Sequence, residues 1–375
     1  MDTSVSAAAD TVGSFTAPAA GTRLEPAGGV VAVEEAPTRR IEGFAAADGV
    51  WATAVPFPSP LAYSYSYAVR TAGGVVVVDL GWDSDEGWSA FQTGLSRAGH
   101  GLDEIIGVVV THAHPDHYGL ARRIREHTSA WIAAHPGERA QIRVGDAERR
   151  GRVTEITEWL AYCGTPPARL REVESELAAL EAVLPDVEAD VDLVDGAPVP
   201  GTDGALVAIH TPGHTTGHLC FQERERGLVF TGDHVLPKVT PNVGRRPGST
   251  DDPLHDFLVS LRRLHDLPDS SLALPGHEWS FDRLSHRLAV LEAHHRSRLD
   301  EIEQVVHDGA ATVWEVSRSV RWARPFDSFT PRSLRSALAE TYSHLVRLSE
   351  QGRLDRRLGC PERWTADGAD RAAGD

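Results

Sequence analysis

The run Ile105-Ile106-Gly107-Val108-Val109-Val110 passes without a break into Thr111-His112-Ala113-His114-Pro115-Asp116-His117. An uncharged, β-branched run of this length reads as a fully buried strand. Three imidazoles and a carboxylate follow at its end, where a turning backbone lets side chains converge on a cleft. Neutral imidazole and carboxylate are ligands that hold zinc at about 2.0–2.2 Å. In an extended or tightly turned segment His112 and His114 share one direction by their spacing of two, which leaves Asp116 and His117 for a second ion.

Outward from this stretch the chain alternates strand and helix. Tyr63, Tyr65 and Tyr67 alternate with Ser64 and Ser66, and Gly73-Gly74 turns the chain into Val75-Val76-Val77-Val78, a hairpin. A helix is expected over 86–98, another over 120–127 and a short strand over 130–134. This β-α-β order argues for a layered α/β core. Residues 138–190 read as a helical insertion. One helix covers 154–162 and ends at Gly164. The next starts at Pro166-Pro167 and carries Leu170, Val173, Leu177, Leu180 and Leu184 on one face. Strands are expected again at 191–194, 205–210, 219–222, 228–230 and 271–274. Beyond 284 the chain reads as helices, the last over 333–350, with Gly352-Arg353-Leu354 after it. Residues 1–40, rich in Ala, Thr, Pro, Gly and Ser, and residues 359–375 read as flexible tails.

The ligand pattern recurs. His210-Thr211-Pro212-Gly213-His214-Thr215-Thr216-Gly217-His218 closes one strand, Phe230-Thr231-Gly232-Asp233-His234 another, and Leu274-Pro275-Gly276-His277-Glu278 a third. With the opening stretch, a hydrophobic strand ends in a ligand residue four times, three of them beside glycine. One such end is an accident; four are a site.

These motifs resemble the metallo-β-lactamase-fold hydrolases, most nearly their glyoxalase II-like branch, over about residues 50–285. The resemblance implies a four-layer αββα sandwich with a dinuclear metal site along one edge of its two sheets. It implies that His112, His114 and His214 hold the first ion, that Asp116, His117 and His277 hold the second, and that Asp233 bridges both. Residues 286–358 would then be a helical, winged-helix-like C-terminal addition, and the long interval from His117 to His214 accommodates the insertion. Two divalent ions so held would activate water for hydrolysis, Asp116 and Asp233 taking part directly. Zinc suits the donors, and iron or manganese also accept mixed nitrogen and oxygen ligands.

Asp79, at a strand end, either orients the site from outside the ligand shell or simply forms a turn. His218 either positions substrate and donates a proton, or supports its loop. His234 reads as structural, and His294 and His295 as packing or surface residues. The loop bearing Lys238, Thr240 and Asn242 is a candidate pocket wall. A thioester releases a thiolate with a conjugate-acid pKa near 8.5 and needs no dedicated acid. Thioester or activated-ester hydrolysis is therefore the expected chemistry, with lactone cleavage, or a nuclease or phosphodiesterase activity, as the alternatives.

The formal net charge is −17, which repels polyanions and sets nucleic acid aside as a main partner in favour of a small molecule. Residues 286–357 hold 12 Arg against 10 Asp plus Glu, too even a balance for a phosphate-binding stripe. Cys163, Cys220 and Cys360 lie too far apart for a thiolate cluster or disulfide framework. No secretory signal and no membrane span are expected, so the reading is a cytoplasmic protein.

Overall fold

The computed structural model describes residues 43–142, 146–181 and 187–366. The expected tails at 1–40 and 367–375, and Leu184 of the amphipathic helix, lie outside the described residues.

The chain enters through β1 (Phe44–Ala47), β2 (Val50–Pro56), β3 (Tyr63–Thr71) and β4 (Gly74–Val78). It continues through α1 (Asp85–Arg97), β5 (Ile105–Val109), α2 (Pro115–Tyr118), α3 (Ala121–His127), β6 (Trp131–Ala134) and α4 (Arg139–Ile142). The insertion contributes α5 (Asp146–Tyr162) and α6 (Pro167–Glu181), followed by β7 (Val191–Asp192). Next come β8 (Leu206–His210), β9 (Leu219–Glu223), β10 (Leu228–Gly232), α7 (Pro253–Leu264) and β11 (Leu272–Pro275). The C-terminal part comprises α8 (Leu284–His307), α9 (Val313–Ser319), α10 (Pro331–Glu350), β12 (Leu354–Arg357) and β13 (Arg363–Ala366). The strands form a seven-stranded sheet in the order β1 to β7, a four-stranded sheet β11-β10-β9-β8, and the β12-β13 hairpin.

Side-chain alternation stacks these sheets into four layers. On β4, Val75 and Val77 face α1 and α3, meeting Trp88, Phe91, Leu95 and Ile124. Val76 and Val78 point the other way, into a core shared with Phe221, Leu228, Phe230 and Leu274 of the second sheet. The three tyrosines of β3 share one face, Tyr65 and Tyr67 buried between the sheets and Tyr63 packed against them. On the far side of the second sheet, Cys220 joins Leu254, Phe257 and Leu261 of α7 and the apolar faces of α8 and α10. The expected αββα sandwich is the fold observed.

Local signals explain most boundaries. Ser84 caps α1 by accepting from Gly87 N at 2.9 Å, and Asp85 and Glu86 suit its positive end. Thr312 and Glu315 form a capping box on α9, and Thr330 with Pro331 opens α10. Strands β1 and β2 and helix α7 are additions to the elements expected from sequence. Helix α7 nevertheless carries its own start signal, Asp252 accepting from His255 N ahead of Pro253.

Two expectations change. The short helix α2 begins inside the His-rich stretch, with His114 at its N-cap, because Pro115 suits the first helical position. Residues from 359 do not run off as a tail as far as 366: β13 pairs with β12, and Trp364 is fully buried. Three helices followed by this hairpin give the order expected of a winged-helix-like addition, yet they share one core with Leu160, Val173 and Phe257 rather than forming their own. Arg353 pairs with Asp300 and Glu303, and Arg356 with Glu362 while lying 5.4 Å over the Trp364 ring, so both are engaged inside the protein. No described helix is long and apolar enough to cross a membrane.

Candidate metal centre

Four strand ends meet along one edge of the sandwich. Strand β5 runs parallel to β4 and hands over to 110–114; β8 ends at His210, β10 at Gly232, and its parallel neighbour β11 at Pro275. Close approach is possible because two residues lack a side chain. A Cβ on Gly276 would stand 2.5 Å from Asp233 Oδ1 and 2.6 Å from His117 Cε1. One on Gly232, at φ +48°, would stand 2.8 Å from His218 Nε2.

All seven residues expected as ligands come together. Nε2 of His112 and Nε2 of His214 approach Nδ1 of His114 at 2.8 and 3.1 Å. Nε2 of His277 lies 3.2 Å from Asp116 Oδ2 and 3.4 Å from Asp233 Oδ2. Nε2 of His117 lies 3.7 Å from Asp116 Oδ2 and 3.5 Å from Asp233 Oδ1. Three trios could each hold a metal ion: His112, His114 and His214; His112, His117 and Asp233; Asp116, His117 and His277. Donors about 2.0–2.2 Å from one ion stand roughly 3–3.5 Å from each other, close to these separations.

The opposite ring nitrogens are anchored in the protein. Nδ1 of His277 donates to Tyr63 O and Nδ1 of His214 to Asn242 O, each at 2.8 Å. Nδ1 of His117 meets Asp79 Oδ2 at 2.8 Å. Thr111 Oγ1 donates to Asp79 and is therefore left to accept from Nδ1 of His112. The inward atoms are the ones in want of a partner: His117 Nε2 and Asp233 Oδ1 are buried without a hydrogen bond. Buried lone pairs left over at the centre of a cluster fit a cation.

Electrostatics divides the cluster. Burial, reinforced by neighbouring imidazoles, holds His112 and His114 well below the ordinary histidine range, so both are neutral. Burial also acts to lower His277, but the Asp233 and Asp116 carboxylates outweigh it and raise this group to about 10. One half of the cluster is a ready nitrogen donor set, and the other gathers negative charge that attracts cations.

Two carboxylates outside the ligand set organise it. Asp79 sits at φ 57°, a conformation uncommon for a non-glycine residue, and accepts from Thr111 N and Thr111 Oγ1 at 2.7 Å as well as facing His117. Its carboxylate is thus held against the cluster, the placement expected of an orienting group. Glu138, which no sequence motif marks, is fully buried and ties Ala113 N to Gly217 N at 2.8 and 2.7 Å. It thereby staples the first His-bearing loop to the second. Asp79→Ala should lower metal affinity about 10–100-fold, read by chelator competition; affinity within two-fold of the parent would dismiss this positioning role.

Other candidates fall elsewhere. His218 is fully buried behind His112, its Nδ1 on Thr211 Oγ1 at 2.9 Å. The lining of the cleft includes neither His218 nor Asp116 and Asp233, and burial holds the His218 ring well below the ordinary histidine range. His234 packs on Phe257, as expected of a structural residue. His295 is buried against His344. The loop from Lys238 to Asn242 lines no part of the cleft: Lys238 N is tied to Glu278, and Asn242 holds His214. The wall is built two residues later, from Gly244 and Arg246 to Thr250. The cleft, of about 350 Å³, has His114 and His214 on one side and Ile156, Trp159, Leu177 and Leu180 of the insertion helices on another.

Residues 60–277 match the metallo-β-lactamase superfamily. The chain belongs to that superfamily. Similar proteins include a probable metallo-hydrolase of Bacillus subtilis, 23% identical over 302 residues, covering 80% of this chain and 91% of the relative. An acyl-coenzyme A thioesterase of Gallus gallus is 31% identical over 45% of this chain and 55% of its own length. A hydroxyacylglutathione hydrolase of Rhizobium johnstonii is 31% identical over 33% and 47%. The chain thus spans about half the length of these two relatives. Among solved structures, a metallo-β-lactamase family protein of Thermus thermophilus superposes with a TM-score of 0.72 at 31% identity, over 86% of this chain and all of that one. Donor set, fold and relatives together identify a metallo-hydrolase of this superfamily.

Proposed function

We propose that this metallo-β-lactamase-fold chain is a dinuclear hydrolase of thioesters or similarly activated esters. In this reading His112, His114 and His214 hold one ion, Asp116, His117 and His277 hold the other, and Asp233 spans both. The observation that carries it is the reach of the Asp233 carboxylate. Its oxygens lie 3.8 Å from His214 Nε2 on one side and 3.5 and 3.4 Å from His117 and His277 Nε2 on the other. When bound, two divalent ions, zinc being the best match to the donors, supply a water acidified towards neutral pH and a Lewis acid for the ester carbonyl.

The protein's part is positional. Asp79, Tyr63 O and Asn242 O fix ring orientation, so that no reorganisation is needed as charge develops. Among the described residues the cleft's titratable groups outside the cluster are Glu155, Glu181 and three arginines, with no histidine that could serve as a general acid. A thiolate leaves without one, which is why a thioester is favoured over an alkoxide leaving group. The thioester hydrolases among the relatives support the same chemistry.

The test is metal analysis joined to a substrate panel. Purified protein should carry about two divalent ions per chain and hydrolyse acyl thioesters in preference to homoserine lactones, bis-nitrophenyl phosphate or single-stranded RNA. Less than one ion per chain with no activity restored by zinc, iron or manganese would sink the dinuclear reading. Preference for the phosphodiesters would replace the thioester.

A further inference from the structure

The cleft beside the cluster is cationic in an unusual way. Arg246, Arg335 and Arg152 all line it, brought there from the 244–250 loop, α10 and α5. Arg152 faces Glu181 at 3.7 Å. Arg246 and Arg335 form no ion pair among the described residues. Burial, with the Arg246 charge adding to it, pushes Arg335 down to about 10. Glu155 and Glu181 also line the cleft, and Glu138 acts on Arg246 and Glu176 and Glu181 on Arg335 from beyond ion-pair distance; the two guanidinium groups still repel each other in a poorly solvated space, a repulsion that a bound anion would relieve.

The imidazole beside Arg246 adds a second mismatch. Arg246 Nη2 lies 3.4 Å from His114 Nε2. His114 turns its Nδ1 towards His112 and His214, so ligation through Nδ1 leaves Nε2 carrying the ring proton. A guanidinium only donates, and a protonated Nε2 cannot accept. Donor then faces donor, and both point at a space suited to an acceptor.

We propose that Arg246 and Arg335, assisted by Arg152, form an oxyanion-recognition site that selects substrates bearing a carboxylate or phosphate group. This rests on the hydrolase reading above and narrows its substrate class. Ile156, Trp159, Leu177 and Leu180 add apolar surface to the same cleft beside Arg152, Glu155 and Glu181, so the ligand combines a hydrocarbon segment with a charged end. Guanidinium pairs bind such groups in bidentate fashion, which gives orientation as well as affinity. The charged end can belong to the acyl group or to the thiol carrier.

Three probes separate these sources: the acetyl thioester of N-acetylcysteamine, neutral throughout; the glutaryl thioester of the same thiol, with a carboxylate on the acyl side; and acetyl-coenzyme A, with phosphates on the carrier. In metal-loaded protein, Arg335→Gln and Arg246→Gln should raise KM for one charged probe about ten-fold or more beyond any change for the neutral one. Arg335→Lys should recover part of that loss. The arm affected identifies the source. A calorimetric titration of glutarate and of pyrophosphate needs no turnover: the Kd for one of them should weaken by the same factor in both Gln variants, with metal content unchanged. Arginine-dependent anion binding without thioester cleavage would keep this site and remove the thioester reading. Cleavage of charged and neutral probes with equal losses in the variants, or anion binding indifferent to them, would overturn the site.

Discussion

Asp233→Ala should reduce turnover by roughly three orders of magnitude or more, since a shared carboxylate contributes several kcal/mol to holding two dications and the charge between them. Among the described residues, no other carboxylate of the cluster comes within 4 Å of His214 as well as of His117 and His277. Without it, His117 and His277 keep Asp116 as the remaining carboxylate close to both, and nothing screens the repulsion between the ions. Metal content should fall with activity, the side of Asp116, His117 and His277 losing more because it has fewer neutral nitrogen donors. Asp233→Asn is the informative companion: it keeps the shape and removes the charge, and it should also be inactive. Mass spectrometry of native protein and kcat on a thioester measure the two effects together. Turnover within ten-fold of the parent for either variant would refute the bridging role.

The convergence of the candidate ligands was legible because metal chemistry concentrates its signal in the residue types themselves. Imidazoles and carboxylates crowded directly after an uncharged strand serve neither core packing nor solubility well, so His112, His114, Asp116, His117, His214, Asp233 and His277 were readable in one dimension. Glu138 was not, because its role depends on folding against Ala113 and Gly217, which are far apart in sequence. Arg246 and Arg335 were hidden for a similar reason. Each is an ordinary arginine in its own segment, and only the packing of α5, α6 and α10 around one cleft gives them a common address. His218 was open between chemistry and loop support; it lies buried behind His112, with its carbonyl accepting from Thr211 N.

The layered fold could be read from strand and helix order, whereas its C-terminal limit could not. A polar, glycine- and proline-containing end reads as a tail, and a single tryptophan does not offset that average. Packing decides the matter: Trp364 is fully buried within the core that also holds Val173, Phe257 and Leu338. Its backbone N–H donates to Ala311 O at 2.7 Å, and Tyr342 packs near its ring.

Trp364→Ala is therefore expected to cost about 3–5 kcal/mol of stability, the range for emptying a large aromatic site in a core that cannot fully collapse. That is a substantial part of the roughly 5–15 kcal/mol that holds a folded domain together. The loss should spread beyond the hairpin. Helix α10 touches β12 through the same core and carries Arg335 into the cleft, and its Glu340 accepts from Asn242, whose carbonyl anchors His214. Loosening the hairpin thus reaches the cluster through a continuous set of contacts, and metal retention near the unfolding transition should decline with the fold. Leu358→Ala is the control: this residue is 78% exposed and lies only a few positions away, so its removal should change stability by about 0.5 kcal/mol or less. Urea titration of both variants decides the question. A Trp364→Ala midpoint indistinguishable from that of Leu358→Ala would mean that the hairpin is an appendage that the catalytic fold does not need.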